Sequence, residues 1–124
     1  MKKTILLGLL IVLTACSTSS NYSGQWAGQV IDNIAGVGQG NLTFSQDGDT
    51  LSGAWQITFA RGVNSGYVEG VVNGNSIRAQ LYPSNPQACP YNVTATRSGD
   101  NLTGNYAAFN CNVANSGTIT ASRQ

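Results

Sequence analysis

The strict alternation of apolar and polar side chains limits this chain more than any other feature. Leu51, Gly53, Trp55, Ile57 and Phe59 interleave with Ser52, Ala54, Gln56 and Thr58. Successive side chains of a strand point to opposite faces, so such a run reads as a half-buried β-strand. The runs Leu42/Phe44, Val68/Gly70/Val72, Ile77/Ala79/Leu81, Tyr91/Val93/Ala95 and Leu102/Gly104/Tyr106 alternate likewise. Between them sit Asp47-Gly48-Asp49, Asn73-Gly74-Asn75 and Ser98-Gly99-Asp100-Asn101, residue types suited to the backbone of tight hairpin turns. The pattern predicts strands over about 24–32, 38–46, 50–59, 66–73, 75–82, 90–97, 101–109 and 117–122.

An internal repeat supports this division. A shift of 51 places lays Asn41–Trp55 on Asn92–Tyr106 and Asn64-Ser65-Gly66 on Asn115-Ser116-Gly117, giving nine identities over residues 41–67. Composition alone would give roughly two or three. The repeated unit is a strand, a Gly-Asp turn, a strand and a loop. A shorter echo, Ser-Gly-x-x-x-Gly-x-Val, begins at Ser23 and again at Ser65. Duplicated hairpins of this length fit an all-β fold, an eight-stranded antiparallel up-and-down barrel.

In such a meander the connections alternate between the two ends of the barrel. The tight turns fall at the end where the first strand begins. Longer connections, expected over about 33–38, 60–65, 83–89 and 110–116, fall at the other. Loops on a rigid scaffold carry binding more often than the strands do. The candidate binding rim is therefore Asn33, Arg61, Tyr82, Asn85, Gln87, Phe109, Asn110 and Asn112.

The first sixteen residues are a separate segment. Lys2 and Lys3 precede a short apolar run from Thr4 to Val12, and Leu13-Thr14-Ala15-Cys16 follows. This is the layout of a secretory signal peptide and is too short for a membrane span. Leu-Thr-Ala-Cys resembles the lipobox of bacterial lipoproteins. The resemblance implies cleavage before Cys16, a diacylglycerol on its thiol and an acyl chain such as palmitate on the new amine. These covalent lipids are the only prosthetic groups expected, and several chains together make a lasting membrane anchor. Ser17 stands where Asp retains enteric-type lipoproteins in the inner membrane, so the implied location is the cell envelope, at the outer membrane. The expected division is a signal peptide at 1–15, a lipidated N-terminus and linker at 16–23, and the barrel at 24–124. The tight-turn end then faces the membrane and the long loops point away.

With Cys16 consumed by lipid, Cys89 and Cys111 remain as a pair in an oxidising compartment. Free buried thiols or a metal site are the alternatives, although the chain has no His to assist a metal. Around the turn at Gly99-Asp100, facing residue numbers sum to about 199–200, and Cys89 and Cys111 satisfy that relation. They should lie opposite each other, at the roughly 5.5–6 Å Cα separation that a disulfide prefers.

Removing residues 1–15 leaves four arginines against four aspartates and one glutamate, a net charge of −1. No basic patch is present for phosphate, so nucleic acid is not an expected partner. The lack of His removes the commonest general base, and no Ser-His-Asp set can form. Asp47 and Asp49 flank Gly48 without the ligand series of a calcium loop. Gly36-Val37-Gly38-Gln39-Gly40 lacks the Lys and the helix of a phosphate loop. Neither an enzyme nor a metal site is expected.

Gly24-Gln25-Trp26 at the first strand resembles the Gly-x-Trp of the small avidin- and lipocalin-like barrels, which implies architecture only. Trp26, Phe44, Leu51, Trp55, Ile57, Phe59, Val68, Val72, Ile77, Leu81, Tyr91, Val93, Leu102, Tyr106 and Ile119 share the inward phase. Side chains this large fill an eight-stranded interior, unless Gly28, Gly53, Gly70 and Gly104 open space in it. Two functions remain. One is an anchored interaction module whose distal loops meet a protein or envelope partner. In size and location the chain is similar to barrel lipoproteins that inhibit lysozyme or proteases, so an inhibitor of a secreted enzyme is one version. The other is a carrier of one small apolar ligand inside the barrel.

Overall fold

The structure, a computed structural model, describes residues 21–124; the export segment, Cys16 and the start of the linker lie outside them. In chain order the strands are β1 (Gly24–Asp32), β2 (Gly36–Asp47), β3 (Thr50–Phe59), β4 (Gly62–Asn73), β5 (Ser76–Pro83), β6 (Tyr91–Ser98), β7 (Asn101–Ala108) and β8 (Ser116–Arg123). Each pairs antiparallel with its predecessor, and β8 closes on β1 with Val30 facing Ile119. The expected up-and-down barrel is what forms, and closure leaves no strand edge unpaired.

The repeat has a spatial meaning. The 51-residue shift carries β2, β3 and β4 onto β6, β7 and β8, which lie on opposite sides of the barrel. The equivalent residues Gly48 and Gly99 open their two-residue turns with φ of 62° and 61°. Positive φ at the first central position only is the type II′ arrangement, whose twist matches that of the flanking strands.

Two connections differ from expectation. The loop expected over 60–65 is the two-residue turn Ala60–Arg61, because Val63 pairs with Thr58 and Gly62 with Phe59, extending β4 by four residues. The connection expected over 33–38 is the three-residue turn Asn33–Ala35. Here the Asp32 carboxylate accepts hydrogen bonds from the Ile34 and Ala35 amides, at 2.9 and 2.8 Å. Those bonds hold the chain in a compact turn that Gly36 leaves with φ of 82°.

Most of the residues assigned to the inward phase form the buried core, with Phe59 and Tyr91 packed against it half-buried. Among the described residues the interior holds small cavities of about 10, 20 and 20 Å³, each with room for about one water. The inward glycines are occupied by backbone rather than by space: a methyl at Gly28 would collide with the carbonyl of Thr120 on β8. The wall facing outward carries exposed Gln25, Gln29, Gln39, Asn41, Thr43, Thr94, Thr96, Thr103, Asn105, Thr118 and Thr120. A barrel that spans a bilayer needs a continuous apolar outer band; here these polar residues share the wall with exposed Ile31, Val37, Val63, Tyr67 and Val71.

The domain begins before β1. Tyr22, placed in the linker by the sequence reading, is fully buried and closes the end where β1 starts. Its carbonyl accepts from Trp26 Nε1 at 2.9 Å, and its amide donates to Gln46 Oε1 at 2.8 Å. Arg123 fastens this segment. Its guanidinium donates to the carbonyls of Ser23 and Asn21, pairs with Asp100 at 3.0 Å and lies 4.5 Å over the Trp26 ring.

Candidate functional site

The end opposite this plug, distal to the incoming chain, carries four connections: Asn33–Ala35, Ala60–Arg61, residues 84–90 and residues 109–115. Three of them are tied together. The Cys89–Cys111 disulfide joins the two long loops with a Cα separation of 5.8 Å. Asn33 joins the β7–β8 loop to the first turn. Its side-chain oxygen accepts from the Ser116 amide at 2.9 Å, and its side-chain nitrogen donates to the Ala114 carbonyl at 3.3 Å. Asn33 is thus a brace, with its side chain spent on holding two connections in register.

The other rim residues divide by position. Arg61 is exposed at the tip of its turn. Tyr82 is half-buried on the outer wall, stacked on Tyr67 with ring centroids 5.0 Å apart. Asn85 shapes its own loop: its side chain accepts from the Gln87 amide at 3.0 Å and its carbonyl from the Ala88 amide at 3.0 Å. Gln87 and Asn112 are exposed, and Phe109 is half-buried with its amide bonded to the Pro90 carbonyl. Asn110, also exposed, takes a φ of 51°, a conformation Asn tolerates better than other side chains do. These residues share one end of the barrel without forming one contiguous cluster.

Sequence reasoning missed two features of this end. The first is apolar. Among the described residues seven large apolar side chains are 50–62% exposed. Ile31, Ile34, Val37, Val63 and Val113 lie on the distal turns or the strand ends that feed them, Tyr67 stacks on Tyr82, and Val71 pairs with Thr50 near the opposite end. Ile31 faces Val37 across the first hairpin. The outward phase of Ile31 was the available signal. Water-facing apolar side chains gathered at one end of a domain mark a contact surface.

The second is a carboxylate. Asp32 is the last residue of β1, on the same face as Trp26 and Val30, and only 6% of it is exposed. Its Oδ1 accepts the two turn amides, and its Oδ2 accepts the Tyr106 hydroxyl at 2.5 Å. Tyr91 meets Tyr106 edge-on with centroids 5.3 Å apart, and its hydroxyl accepts from Asn115 Nδ2 at 3.3 Å. Burial, the bond to Asp32 and the nearby charge together push the Tyr106 phenol far above the usual tyrosine range. Burial first and then the Asp32 charge raise Tyr91 as well. Both phenols therefore stay protonated and act as neutral hydrogen-bonding groups.

Together with Trp55, Ile57, Phe59, Asn64 and Leu81, these groups line a pocket of about 10 Å³ inside the distal mouth. Exposed Asn64 marks its outer edge. Two larger hollows, about 580 and 540 Å³, lie open on the outer wall. Their polar lining is Thr, Ser, Asn and Gln with Arg78 as the single charge, so they gather no reactive groups. Among the described residues no group of three or more metal-ligating side chains occurs.

Comparison with known proteins supports architecture. No protein-family model matches the chain, and no curated protein matches its sequence. Among solved structures it is similar to a redesigned β-barrel, with a TM-score of 0.69 at 17% identity, covering 82% of this chain and 90% of that one. At that identity the likeness shows the fold alone: the chain is an eight-stranded up-and-down β-barrel.

Proposed function

We propose that this chain is an outer-membrane lipoprotein, anchored through acylated Cys16, whose barrel presents its distal rim to a protein partner in the cell envelope. The observation that carries this reading is the set of exposed apolar side chains Ile31, Ile34, Val37, Val63 and Val113 at the end opposite the chain's entry. The entry itself is fixed. Arg123 holds Asn21 and Ser23 against the barrel floor, so only residues 17–20 separate that floor from the acylated residue. Four extended residues reach about 14 Å, which keeps the floor near the bilayer and leaves the rim projecting from it.

Braced loops favour binding, because less conformational freedom is lost when a partner docks. Inhibition of a secreted enzyme is one form such binding takes. The filled interior favours an interaction surface over an enclosed ligand site. Two measurements test the reading together. The mature wild-type protein should carry acyl chains by mass spectrometry and sediment with membranes, and Cys16→Ser should lose both. Capture from detergent-solubilised envelopes should yield a partner that Ile34→Asp or Val63→Asp loses. A non-acylated wild-type protein would remove the anchor, and equal capture by the rim variants would remove the surface.

A further inference from the structure

The Asp32 pocket has the chemistry of a receptor for one particular group. An ionised carboxylate offers about four lone-pair sites. Three are filled here, by the Ile34 amide, the Ala35 amide and the Tyr106 hydroxyl. The remaining site is on Oδ2. The ionised carboxylate strengthens all three of these bonds and uses both of its oxygens in making them, but none of the three donors carries a positive charge to offset it. Buried charges are ordinarily paired. Among the described residues the one ion pair is Arg123–Asp100, at the opposite end of the barrel. Asp32 is thus a buried carboxylate with an open acceptor site and no cation beside it.

The lining and the size narrow the complement. Trp55, Phe59, Tyr91 and Tyr106 supply aromatic rings, which attract cations across their faces. The cavity has room for about one water. An ammonium head is about that size, whereas a planar guanidinium or a quaternary ammonium is larger. The pocket sits within the distal mouth, around which Ile31, Ile34, Val37, Val63 and Val113 stand exposed. A group entering it would be the tip of a chain lying on the rim.

We propose that the Asp32 pocket receives the ε-ammonium of a lysine on the partner that the apolar rim engages. This rests on the reading of the rim as a docking surface and specifies its chemistry. The ammonium donates to the open site of Asp32 Oδ2 and displaces the one water that fits there. Asn64, at the outer edge, offers a side-chain oxygen to a second ammonium proton. The cavity holds the head group alone, and the rim residues cover the chain that carries it.

The test uses the full protein in detergent micelles with n-butylammonium as probe. The backbone amide signals of Ile34 and Ala35 report on Asp32, because both donate to it. The signals should shift saturably with n-butylammonium. Butylguanidinium and n-butanol, which fail on size and on charge, should require about tenfold higher concentration or more. Asp32→Asn keeps an acceptor for the turn and should lose the response to n-butylammonium by about tenfold or more. The comparison among probes is made on the wild-type chain, so it stands if the variant fails to fold. No response to n-butylammonium, or an equal one to n-butanol, overturns the pocket. Capture of the envelope partner by Asp32→Asn at the wild-type level overturns the link between pocket and partner. Failure to capture any partner removes the docking surface instead, while the probe titration still reports on the pocket.

Discussion

The hydroxyl of Tyr106 on β7 donates to the carboxylate of Asp32 at the end of β1, joining residues 74 positions apart inside the distal mouth. The same carboxylate caps the β1–β2 turn. Closure of β8 on β1 brings these two residues together, so this bond reports directly on a closed barrel.

Tyr106→Phe removes the only donor to Oδ2 among the described residues and leaves that buried oxygen short of a partner. The expected loss is about 1–3 kcal/mol of stability, read from the denaturant midpoint at unchanged slope. Tyr22→Phe should cost less. The Tyr22 hydroxyl is buried with the Arg97 guanidinium nearby but makes no hydrogen bond of good geometry among the described residues, so its removal leaves no strongly bonded partner behind. Equal destabilisation by both changes would contradict the bonding assigned to the two ends.

Alkaline pH should weaken the fold. Burial raises the pKa of Tyr22, with Arg97 opposing it, and also raises Tyr91 and Tyr106 above the ordinary value of 10.0. Above that value the unfolded chain loses phenolic protons that the folded chain keeps. Stability is therefore complete below about pH 10 and falls as pH rises beyond it, by up to about 1.4 kcal/mol per pH unit for each such tyrosine. Denaturant midpoints measured across that range check the sign. A midpoint that stays level well above pH 10 would place the phenols in water.

The disulfide should be complete in the mature protein, with no thiol labelled before reduction. Cys89→Ala should cost about 2–5 kcal/mol, and because the bridge stiffens two rim loops it should weaken partner capture as well. Two free thiols in the oxidised protein would contradict the bridge.

At the other end, Arg123→Ala removes the hydrogen bonds that hold Asn21 and Ser23 to the barrel floor. A loss of about 2 kcal/mol is expected, with partner capture unchanged because the distal rim is untouched. A loss of capture at full stability would move the binding surface to the floor.

Much of this was legible because strand chemistry has a short period. β1 and β3 run over the residues that alternation marked, and the hairpin register placed Cys89 opposite Cys111. The errors have local causes. Gly62-Val63-Asn64-Ser65-Gly66 has turn-like composition, yet the pairing of Val63 with Thr58 makes it strand. Tyr22 sits alone among Ser, Thr and Asn, with no periodicity to mark it as core. Asp32 was on the inward phase of Trp26 and Val30, so a buried carboxylate was readable. Its partner Tyr106 was not, because that contact exists only once the barrel closes. The rim was sought in the loops, while the exposed Ile31, Val37 and Val63 lie on the strand ends.

The claim that the distal rim of an anchored barrel binds a partner is tested most directly by site-specific photo-cross-linking in intact cells. A photoreactive residue is placed at Ile34 on the rim or at Asp49 in a floor turn. The account predicts a discrete protein adduct from position 34 and none from position 49. An adduct from position 49 alone would contradict it.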